Sequence, residues 1–529
     1  MIVYINYFIF FIILIACCYC RYVVYNITNL KIESSIINDD INEKINEIDD
    51  NILKLKVYDY GIPSNIQELY ELQNGKLLPM AKVKYINYKL KDQKLDRGKN
   101  ILYKRPFNFK IKSDDCPEKE IYKRALENAE KTISNAIDIK RTINVDVYIE
   151  DFCSTMRDAA CISLVGMTYS PIYVSLKENP DPNEREYAYP QALAKQLILD
   201  KEVHFTDHDI IIYLNTHMAR DDYSELIVTH EIIHGLGFMG NGVLIGKSIG
   251  MVDMKEELFS PYVYFNLESS EDSYNYHLLG FLPFTIFEKY IVPIKNTSSY
   301  LFRSEFDEFY KKSVNITSYS LSAQSSARDQ FTALSDIYKS IYENSKSIDK
   351  YRKIAKLYLT HNSFGFRTSD GEVIMLQSFN DKYLSSSTAC HIAVPYKCEN
   401  FDSCFSSEIN DYDNNYLMYF SYPLQFKTSE MLKKFKNKYG LISPKLLKIL
   451  TTIGWTEKGT APESKTYYVV NGNFPDIYDN LFEIKANRKI YESSENETYL
   501  VSFSKSRYTK KDNYYFFNIF IILFIYIFL

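Results

Sequence analysis

The sequence predicts an α+β fold, in which strands precede an unusually apolar helix. Residues 143–149 alternate apolar and polar side chains, which is typical of a half-buried strand. Residues 209–215 form a nearly continuous apolar run, which is typical of a buried or an edge strand. The apolar helix covers residues 226–236 and is expected to end at Gly237, with Ser224 as its N-cap and Glu225 at its positive end.

Two other helices are predicted, at residues 118–136 and 444–453, and composition divides the chain around them. We predict the following segments: a signal peptide (1–20), an N-terminal region or propeptide (21–115), a subdomain with strands and the apolar helix (116–245), a long and mostly helical insertion that includes residues 329–359 (246–380), a cysteine-containing C-terminal subdomain (381–457), a linker (458–506) and a hydrophobic tail (507–529).

Charge excludes one class of partner. The 62 Lys and Arg residues nearly balance 67 Asp and Glu residues, for a net charge of −5, and no long run of one sign occurs. A nucleic-acid-binding role therefore has no electrostatic basis. The apolar content of 46% is sufficient for a sizeable core.

Both ends of the chain are strongly apolar. Residues 2–20 carry no charge, which is typical of a secretory signal peptide, although the missing basic start leaves an uncleaved signal anchor as the alternative. Residues 514–529 are apolar except for Asn518 and follow a polar spacer with small residues. This pattern favours a GPI-attachment signal over a short transmembrane anchor. We therefore expect a protein of the secretory pathway, extracellular or at the cell surface, attached to the membrane by its tail.

Six cysteines remain after removal of a signal peptide, and an even number in a secreted chain suggests disulfides. They are Cys116, Cys153, Cys161, Cys390, Cys398 and Cys404. The short separations favour Cys153–Cys161 and Cys398–Cys404, which leaves Cys116 with Cys390; free buried thiols are the alternative. Four Asn-X-Ser/Thr sequons, at Asn26, Asn296, Asn315 and Asn496, are weak indications of glycosylation.

The apolar helix contains the sequence His230-Glu-Ile-Ile-His234. Residues four apart lie on one helix face, so both imidazoles can reach one metal ion, and Glu231 lies beside that ion as a general base for water. Zinc is the expected metal, because it lowers the pKa of a bound water and polarises a carbonyl. Two histidines in a buried helix without such a partner would be costly.

A catalytic zinc needs a third protein ligand. The candidates downstream are His277, His361 and His391, or a carboxylate such as Glu256 or Glu257. Gly237 allows the chain to turn sharply after the helix, so the third ligand is expected from a distant segment. The compact pattern, with a histidine six residues after His234, is absent because Gly240 occupies that position.

The segment Thr229-His-Glu-Ile-Ile-His-Gly-Leu-Gly-Phe238 resembles the zinc helix of the leishmanolysin-like metallopeptidases, and further phrases resemble a group of fungal-type secreted proteins with the same helix. Those phrases lie at residues 189–193, 386–391, 415–418, 441–446 and 453–455, so the likeness covers residues 116–457. The resemblance implies a metzincin, or zincin-like, catalytic domain with a twisted sheet. It implies that His230, His234 and His391 bind zinc, that Glu231 is the general base, and that Met418 is the methionine of the turn below the metal.

The sequence thus predicts a secreted or surface-tethered zinc metalloendopeptidase, in which zinc-activated water attacks a peptide bond of a protein substrate and Glu231 accepts the proton. One alternative is a catalytically inactive surface protein in which zinc is a structural staple. Another is a gluzincin, with a glutamate as third ligand. The strand at residues 209–215 is a hypothetical edge for a peptide substrate. Tyr419 is a candidate for oxyanion stabilisation, and His204, His208 and His217 are interpreted as surface histidines.

Overall fold

A computed structural model describes the folded part of the chain. The described residues are 52–59, 66–67, 69, 82–89, 105–113, 116–156, 159–181, 183–201, 203, 205–240, 242–245, 257–261, 263–269, 273–281, 283–302, 318–322, 348–384, 387–401, 404, 408–422, 427–461 and 464–470. All of them belong to one compact unit. The predicted signal peptide, the hydrophobic tail and the part of the linker after residue 470 lie outside the described residues. No helix within the described ranges is long and apolar enough to cross a membrane.

The described residues form a mixed α+β structure, as predicted from the sequence. The helices are α1 (Glu118–Ala136), α2 (Phe152–Thr155), α3 (Gln191–Ala194), α4 (Ser224–Gly235), α5 (Ile348–Tyr358), α6 (Thr428–Phe435) and α7 (Pro444–Ile453). The strands are β1 (Ile52–Asp59), β2 (Lys82–Lys89), β3 (Phe107–Lys112), β4 (Ile143–Glu150), β5 (Gly166–Tyr169), β6 (Ile172–Lys177), β7 (Tyr187–Pro190), β8 (Ile198–Leu199), β9 (Ile210–Asn215), β10 (Gly242–Ile245), β11 (Leu258–Pro261), β12 (Val263–Ser269), β13 (Ser273–Phe281), β14 (Ile291–Pro293), β15 (Ser318–Ser322), β16 (Phe364–Arg367), β17 (Val373–Met375) and β18 (Thr466–Val469).

A four-stranded sheet with the order β3-β4-β9-β5 supports the part of the chain that contains the histidine motif. Strands β3, β4 and β9 are parallel, whereas β5 is antiparallel to β9 and forms an edge. All six residues of β9 are buried, which is expected of an interior strand with covered faces. The predictions of strands at residues 143–149 and 209–215 are confirmed. The hypothesis that 209–215 is an edge strand is wrong, because β4 and β5 occupy both of its sides.

Helices α1 and α4 pack against each other, and α4 packs against β5 and β9 of this sheet. The buried residues of α1 recur at helical spacing (Tyr122, Ala125, Leu126, Ala129, Ile133 and Ala136), so one apolar face is turned inward. The Tyr122 hydroxyl donates to the backbone oxygen of Asn215, at the end of β9, over 2.7 Å. The predicted helix at residues 118–136 is therefore confirmed, and it supports α4 from one side.

A second sheet includes strands from both ends of the described chain, in the order β2-β1-β6-β18-β8, with β7 also paired to β6. Strand β1 pairs antiparallel with β6, for example Val57 with Val174. Strands β1, β2 and β3 all come from the segment predicted as an N-terminal region or propeptide. Strand β1 pairs with β2 and with the later strand β6, and β3 pairs with the later strand β4, so these described residues are part of the two sheets.

Residues 246–380 differ from the mostly helical insertion that was expected. In the parts of this segment that the structure describes, seven strands (β11–β17) accompany one helix, α5. The physical reason is composition: runs such as VYFNLES and SYNYHLLGF are rich in aromatic residues, which favour extended pleated surfaces. Helix α5 falls within the predicted helical stretch 329–359.

The C-terminal helix α7 begins and ends as the sequence predicts. Ser443 is its N-cap and accepts from the Leu446 backbone nitrogen over 3.1 Å, and Gly454 follows its last turn with a φ of 124°. Directly after it, the Trp455 indole donates to the backbone oxygen of Leu236 over 2.9 Å. This bond braces the end of α4 from a segment that is more than 200 residues away in sequence.

The cysteine predictions are confirmed for two pairs and wrong for the third. Cys153–Cys161 and Cys398–Cys404 are disulfides. Cys116 and Cys390 are free, because they lie in different surroundings. Cys116 is half-buried just before α1, whereas Cys390 is buried beside His391.

Candidate metal centre

Helix α4 positions the histidine motif inside the core. Every residue of α4 except Glu225 is buried, so its two histidines and Glu231 are held away from bulk water. The sequence prediction for its start needs a correction. Ser224 is the first helical residue, and its hydroxyl accepts from the backbone nitrogen of Arg220 over 3.0 Å instead of capping the helix.

Gly237 provides the sharp exit that the sequence predicted. Helix α4 ends at Gly235, and Gly237 has a φ of 114°, which side chains other than glycine rarely adopt. A Cβ atom there would also lie 3.2 Å from both Ile453 Cδ1 and Pro190 Cγ. The chain therefore turns away below α4 and leaves the space over the histidines to other segments.

The space beside α4 is occupied by His391, which the structure brings to the two helix histidines. The Nε2 atom of His230 lies 3.0 Å from that of His234 and 3.1 Å from that of His391. All three side chains are buried, and among the described residues they form a group whose ligand atoms could hold one metal ion. In a tetrahedral zinc site with Zn–N bonds of about 2.0–2.1 Å, two ligand nitrogens lie about 3.3 Å apart. The two measured separations are close to this value.

The other nitrogen of each imidazole faces a backbone oxygen. His230 Nδ1 lies 2.6 Å from the oxygen of Leu417, His234 Nδ1 lies 2.9 Å from that of Phe238, and His391 Nδ1 lies 3.2 Å from that of Ser387. Since a carbonyl oxygen can only accept, each Nδ1 donates and each neutral ring presents an Nε2 lone pair. Three lone pairs that face one another repel unless a cation lies between them, so the donor set fits a metal ion.

Burial also keeps the histidines in the form that binds a metal. It lowers the pKa of His230 to about 3, with a further contribution from His234, and lowers the pKa of His234 to about 4. Burial and the two neighbouring imidazoles hold the pKa of His391 well below its usual value. The three rings are therefore neutral at neutral pH and need not lose a proton before binding a cation.

Glu231 lies beside the three histidines and is held by strand β5. The Thr168 hydroxyl donates to Glu231 Oε2 over 2.7 Å and lies 2.9 Å from the backbone oxygen of Glu231. A Cβ atom on Gly166 would lie 3.1 Å from Glu231 Oε1, so the glycine makes room for the carboxylate. Burial raises the pKa of Glu231 to about 7, against the opposing effect of the Thr168 hydrogen bond. Such a carboxyl can both accept and return a proton near neutral pH.

The short helical turn Tyr416–Met418 joins the ligands through its backbone. Leu417 accepts from His230, and the oxygen of Met418 accepts from the backbone nitrogen of Ile392, the neighbour of His391, over 2.8 Å. Met418 itself is fully buried. The Tyr422 hydroxyl donates to the Leu417 oxygen and lies 2.8 Å from His230 Nδ1.

Thr168 and Tyr422 were missed by the sequence analysis. No motif marks either residue, and a tyrosine is a weak signal in a chain with 47 of them. A signal for Thr168 exists only in the sheet order, which brings β5 next to β9 and therefore close to α4.

Of the remaining candidate ligands, His361 and Glu257 are described and lie outside the histidine group. His361 Nδ1 lies 3.2 Å from the Ser378 oxygen and is outside the histidine group. His277 lies in β13, but its side chain is outside the described part, as is Glu256. Glu257 is described and is not a member of the group. Tyr419 is buried and its hydroxyl donates to Asp413.

Two further described histidines, His208 and His217, do not join the group. His208 contacts the buried carboxylate of Asp146, and His217 lies 3.2 Å from Asp151, whereas His204 lies outside the described residues. His208 and His217 are 36% and 59% exposed, which agrees with their interpretation as surface histidines.

A cavity of about 450 Å³ opens over the histidines and Glu231. Residues 162–169, which include the edge strand β5, form one wall, and residues 387–391 and 420–422 form another. Because β5 is the edge of its sheet on the side of this cavity, it is better placed than β9 for pairing with an extended peptide.

Comparison with known families places the chain in one family. The model of the SPBPB7E8-like family matches residues 82–471, about three quarters of the chain, and the chain therefore belongs to this family. Searches of curated proteins and of solved structures gave no match. The matched region contains all three histidines and Glu231.

Proposed function

We propose that this chain is a zinc metalloendopeptidase of the metzincin kind. The observation that carries the proposal is the convergence of three Nε2 atoms within a cavity, directly beside a buried and hydrogen-bonded glutamate. A bound zinc ion would polarise a substrate carbonyl and lower the pKa of a water molecule. The three histidines would hold it through Nε2, and their carbonyl partners would fix the ring orientations.

Glu231 is assigned the proton transfers of the reaction. Its Oε2 accepts from Thr168, which leaves Oε1 on the side of Gly166 and of the cavity. In this position Glu231 accepts the proton of the attacking water and then donates it to the leaving amine. Strand β5 lies where an extended peptide would pair with an edge, so the scissile bond would pass between β5 and the histidines.

The order of the elements supports the metzincin assignment. A sheet with an antiparallel edge strand is followed by the histidine helix, a glycine exit, a third histidine from a distant segment and a buried methionine turn that contacts two ligand segments. The alternative of a purely structural zinc site is less well supported, because it gives no role to Glu231 and the cavity. Such a site would also close with a fourth protein ligand, and the group has three members among the described residues.

Secretion and membrane attachment are part of the proposal and depend on the terminal sequences. Two disulfides support an oxidising compartment. A protein or peptide substrate outside the cell or within the secretory pathway would then be cleaved near a membrane surface.

The test is peptide hydrolysis by the purified full-length chain. We expect cleavage of a peptide library by the zinc-loaded protein, loss of cleavage after chelation and recovery with added zinc. Glu231→Gln should retain zinc and folding but lose at least about a hundredfold in kcat, since general base catalysis contributes this much. Undiminished cleavage by this variant would refute the mechanism.

A further inference from the structure

The mouth of the cavity is bordered by residues 161–165, which we call the rim segment. This segment follows the short helical turn Ala159–Ile162 and leads into the edge strand β5, which begins at Gly166. Ile162, Leu164 and Val165 of the rim segment line the cavity. Because Ile162 is also 70% exposed, its side chain lies at the cavity mouth, where a bound molecule can reach it.

Ile162 is the most exposed large apolar side chain in the described part of the chain. Two others are exposed, Ile198 at 46% and Met375 at 39%, and neither of them lines the cavity. An apolar side chain in water gains free energy when another apolar group covers it. Ile162 is therefore the exposed apolar group that a molecule bound in the cavity would cover.

The rim segment is held in place from two sides. The disulfide Cys153–Cys161 joins its first residue to α2. The side-chain nitrogen of Asn215, at the end of β9, donates to the backbone oxygens of Cys161 and Leu164 over 3.0 and 2.8 Å. The backbone nitrogen of Asn215 donates to the oxygen of Val165 over 3.2 Å. Since the segment is already ordered, it loses little conformational entropy when it binds a partner.

We propose that Ile162 is a specificity-determining residue, which contacts an apolar side chain of a peptide substrate close to the scissile bond. The inference rests on the proposed peptidase function, because it deepens the assignment of the same cavity. Residues 161–169 contain no charged side chain, so this wall offers no counter-ion to a charged group of the substrate. Aliphatic and aromatic substrate side chains are therefore favoured over acidic and basic ones.

The length of chain between Ile162 and Gly166 limits where this side chain lies in the substrate. A Cβ atom on Gly166 would lie 3.1 Å from Glu231 Oε1, so the wall meets the proton-transfer group at Gly166. The four residues from Gly166 back to Ile162 span at most about 14 Å. An extended peptide covers this distance in about four residues. The substrate residue that contacts Ile162 is therefore within about four positions of the scissile bond.

The test uses peptide hydroxamates, because the hydroxamate group chelates the metal and thereby fixes the register of the peptide. One series is tetra-alanine with a hydroxamate at its C-terminus, and the other is tetra-alanine with a hydroxamate joined to its N-terminus through a succinyl group. The two series extend to opposite sides of the metal, and in each of them leucine replaces one alanine at a time. Calorimetry on the zinc-loaded full-length protein should show at least one position at which leucine binds about 5- to 20-fold more tightly than alanine.

Three variants assign this leucine preference to Ile162. Ile162→Ser should lower the preference about 3- to 10-fold without loss of zinc, whereas Ile162→Leu should retain it. Ile198→Ser removes an exposed isoleucine outside the cavity and should leave the preference unchanged. Because Ile162 is mostly exposed, its replacement by serine should leave the fold intact, and urea unfolding checks this.

The outcomes separate this inference from the function on which it rests. The inference alone would be overturned by the absence of a leucine preference at every position, by a preference in Ile162→Ser within twofold of the wild type, or by an equal loss in Ile198→Ser. A protein that binds no zinc, or a zinc-loaded protein that binds no hydroxamate, would contradict the proposed function and the inference with it.

Discussion

The metal-free protein should become more stable, relative to wild type, when Glu231 is replaced by glutamine, and the gain should grow with pH. Burial raises the pKa of Glu231 from 4.5 to about 7 in the folded protein. An unfolded chain has the lower value, so between pH 4.5 and 7 the folded state binds the proton more tightly. Wild-type stability therefore loses the contribution of this group as the pH rises through that window.

The magnitude follows from the size of the shift. At about 1.4 kcal/mol per pKa unit, the ionised carboxylate costs the folded state about 3 kcal/mol above pH 7. Glutamine has a similar shape and does not ionise. The free energy of unfolding of Glu231→Gln, minus that of wild type, should therefore increase by about 2–3 kcal/mol between pH 5 and pH 8.

The assay is urea unfolding of both proteins in the presence of a chelator, at one-unit steps from pH 5 to pH 8. Glu430→Gln, at an exposed position of α6, controls for the substitution itself. Added zinc should reduce the gain, because a nearby cation favours the carboxylate. A difference that does not change with pH, or that decreases as the pH rises, would refute the account of Glu231 as a desolvated acid.

Three further variants test how the site is built. Thr168→Val should retain zinc but lower kcat/KM about 10- to 100-fold, because it removes a hydrogen bond to the Glu231 carboxylate. Thr168→Ser keeps the hydroxyl and should retain most of the activity. Equal activity of the two variants in a peptide assay would contradict this role of Thr168. Gly237→Ala should lower the free energy of unfolding by about 1–3 kcal/mol, measured by urea unfolding. The loss should exceed that of Gly371→Ala, because both glycines have a positive φ but only Gly237 has close neighbours. Asn215→Asp replaces the side-chain donor to the backbone oxygens of Cys161 and Leu164 by an acceptor, which loosens the cavity wall that these residues belong to. We therefore expect a higher KM with unchanged zinc content, measured by steady-state kinetics and metal analysis. A lower kcat together with lost zinc would contradict this expectation.

The local parts of the fold were predictable because they depend on near neighbours in sequence. Helices α1 and α7 and strands β4 and β9 coincide with the predicted segments, since helical spacing and strand alternation are local signals. The described parts of the stretch 246–380 contain more strands than were expected, because their aromatic residues favour strands while the spacing of these residues does not exclude a helix. The order of the strands could not be predicted from the sequence either. Nothing in residues 209–215 reveals that β5, about 40 residues earlier in the chain, pairs with β9 on the side opposite β4.

The part of the candidate site that lies in one continuous segment of the chain could be predicted from the sequence. His230, Glu231 and His234 lie in one short motif, and Gly237 indicated a distant third ligand. His391 was identified through the family resemblance, since no spacing rule links it to His234. Thr168 contacts Glu231, and Tyr422 contacts His230, across elements that are remote in sequence, so no local motif marks these two residues. The wrong pairing of Cys116 with Cys390 was assigned by elimination and not by geometry.

The most direct test of the central claim is the zinc content and zinc coordination of the purified full-length chain, for wild type and for His391→Ala. The account predicts one zinc ion per chain in wild type, with X-ray absorption that shows three imidazole nitrogens at about 2.0–2.1 Å. It predicts that His391→Ala loses most of its zinc at neutral pH while the fold is retained. One zinc ion per chain with unchanged affinity in His391→Ala would contradict the account and place the third ligand on another residue.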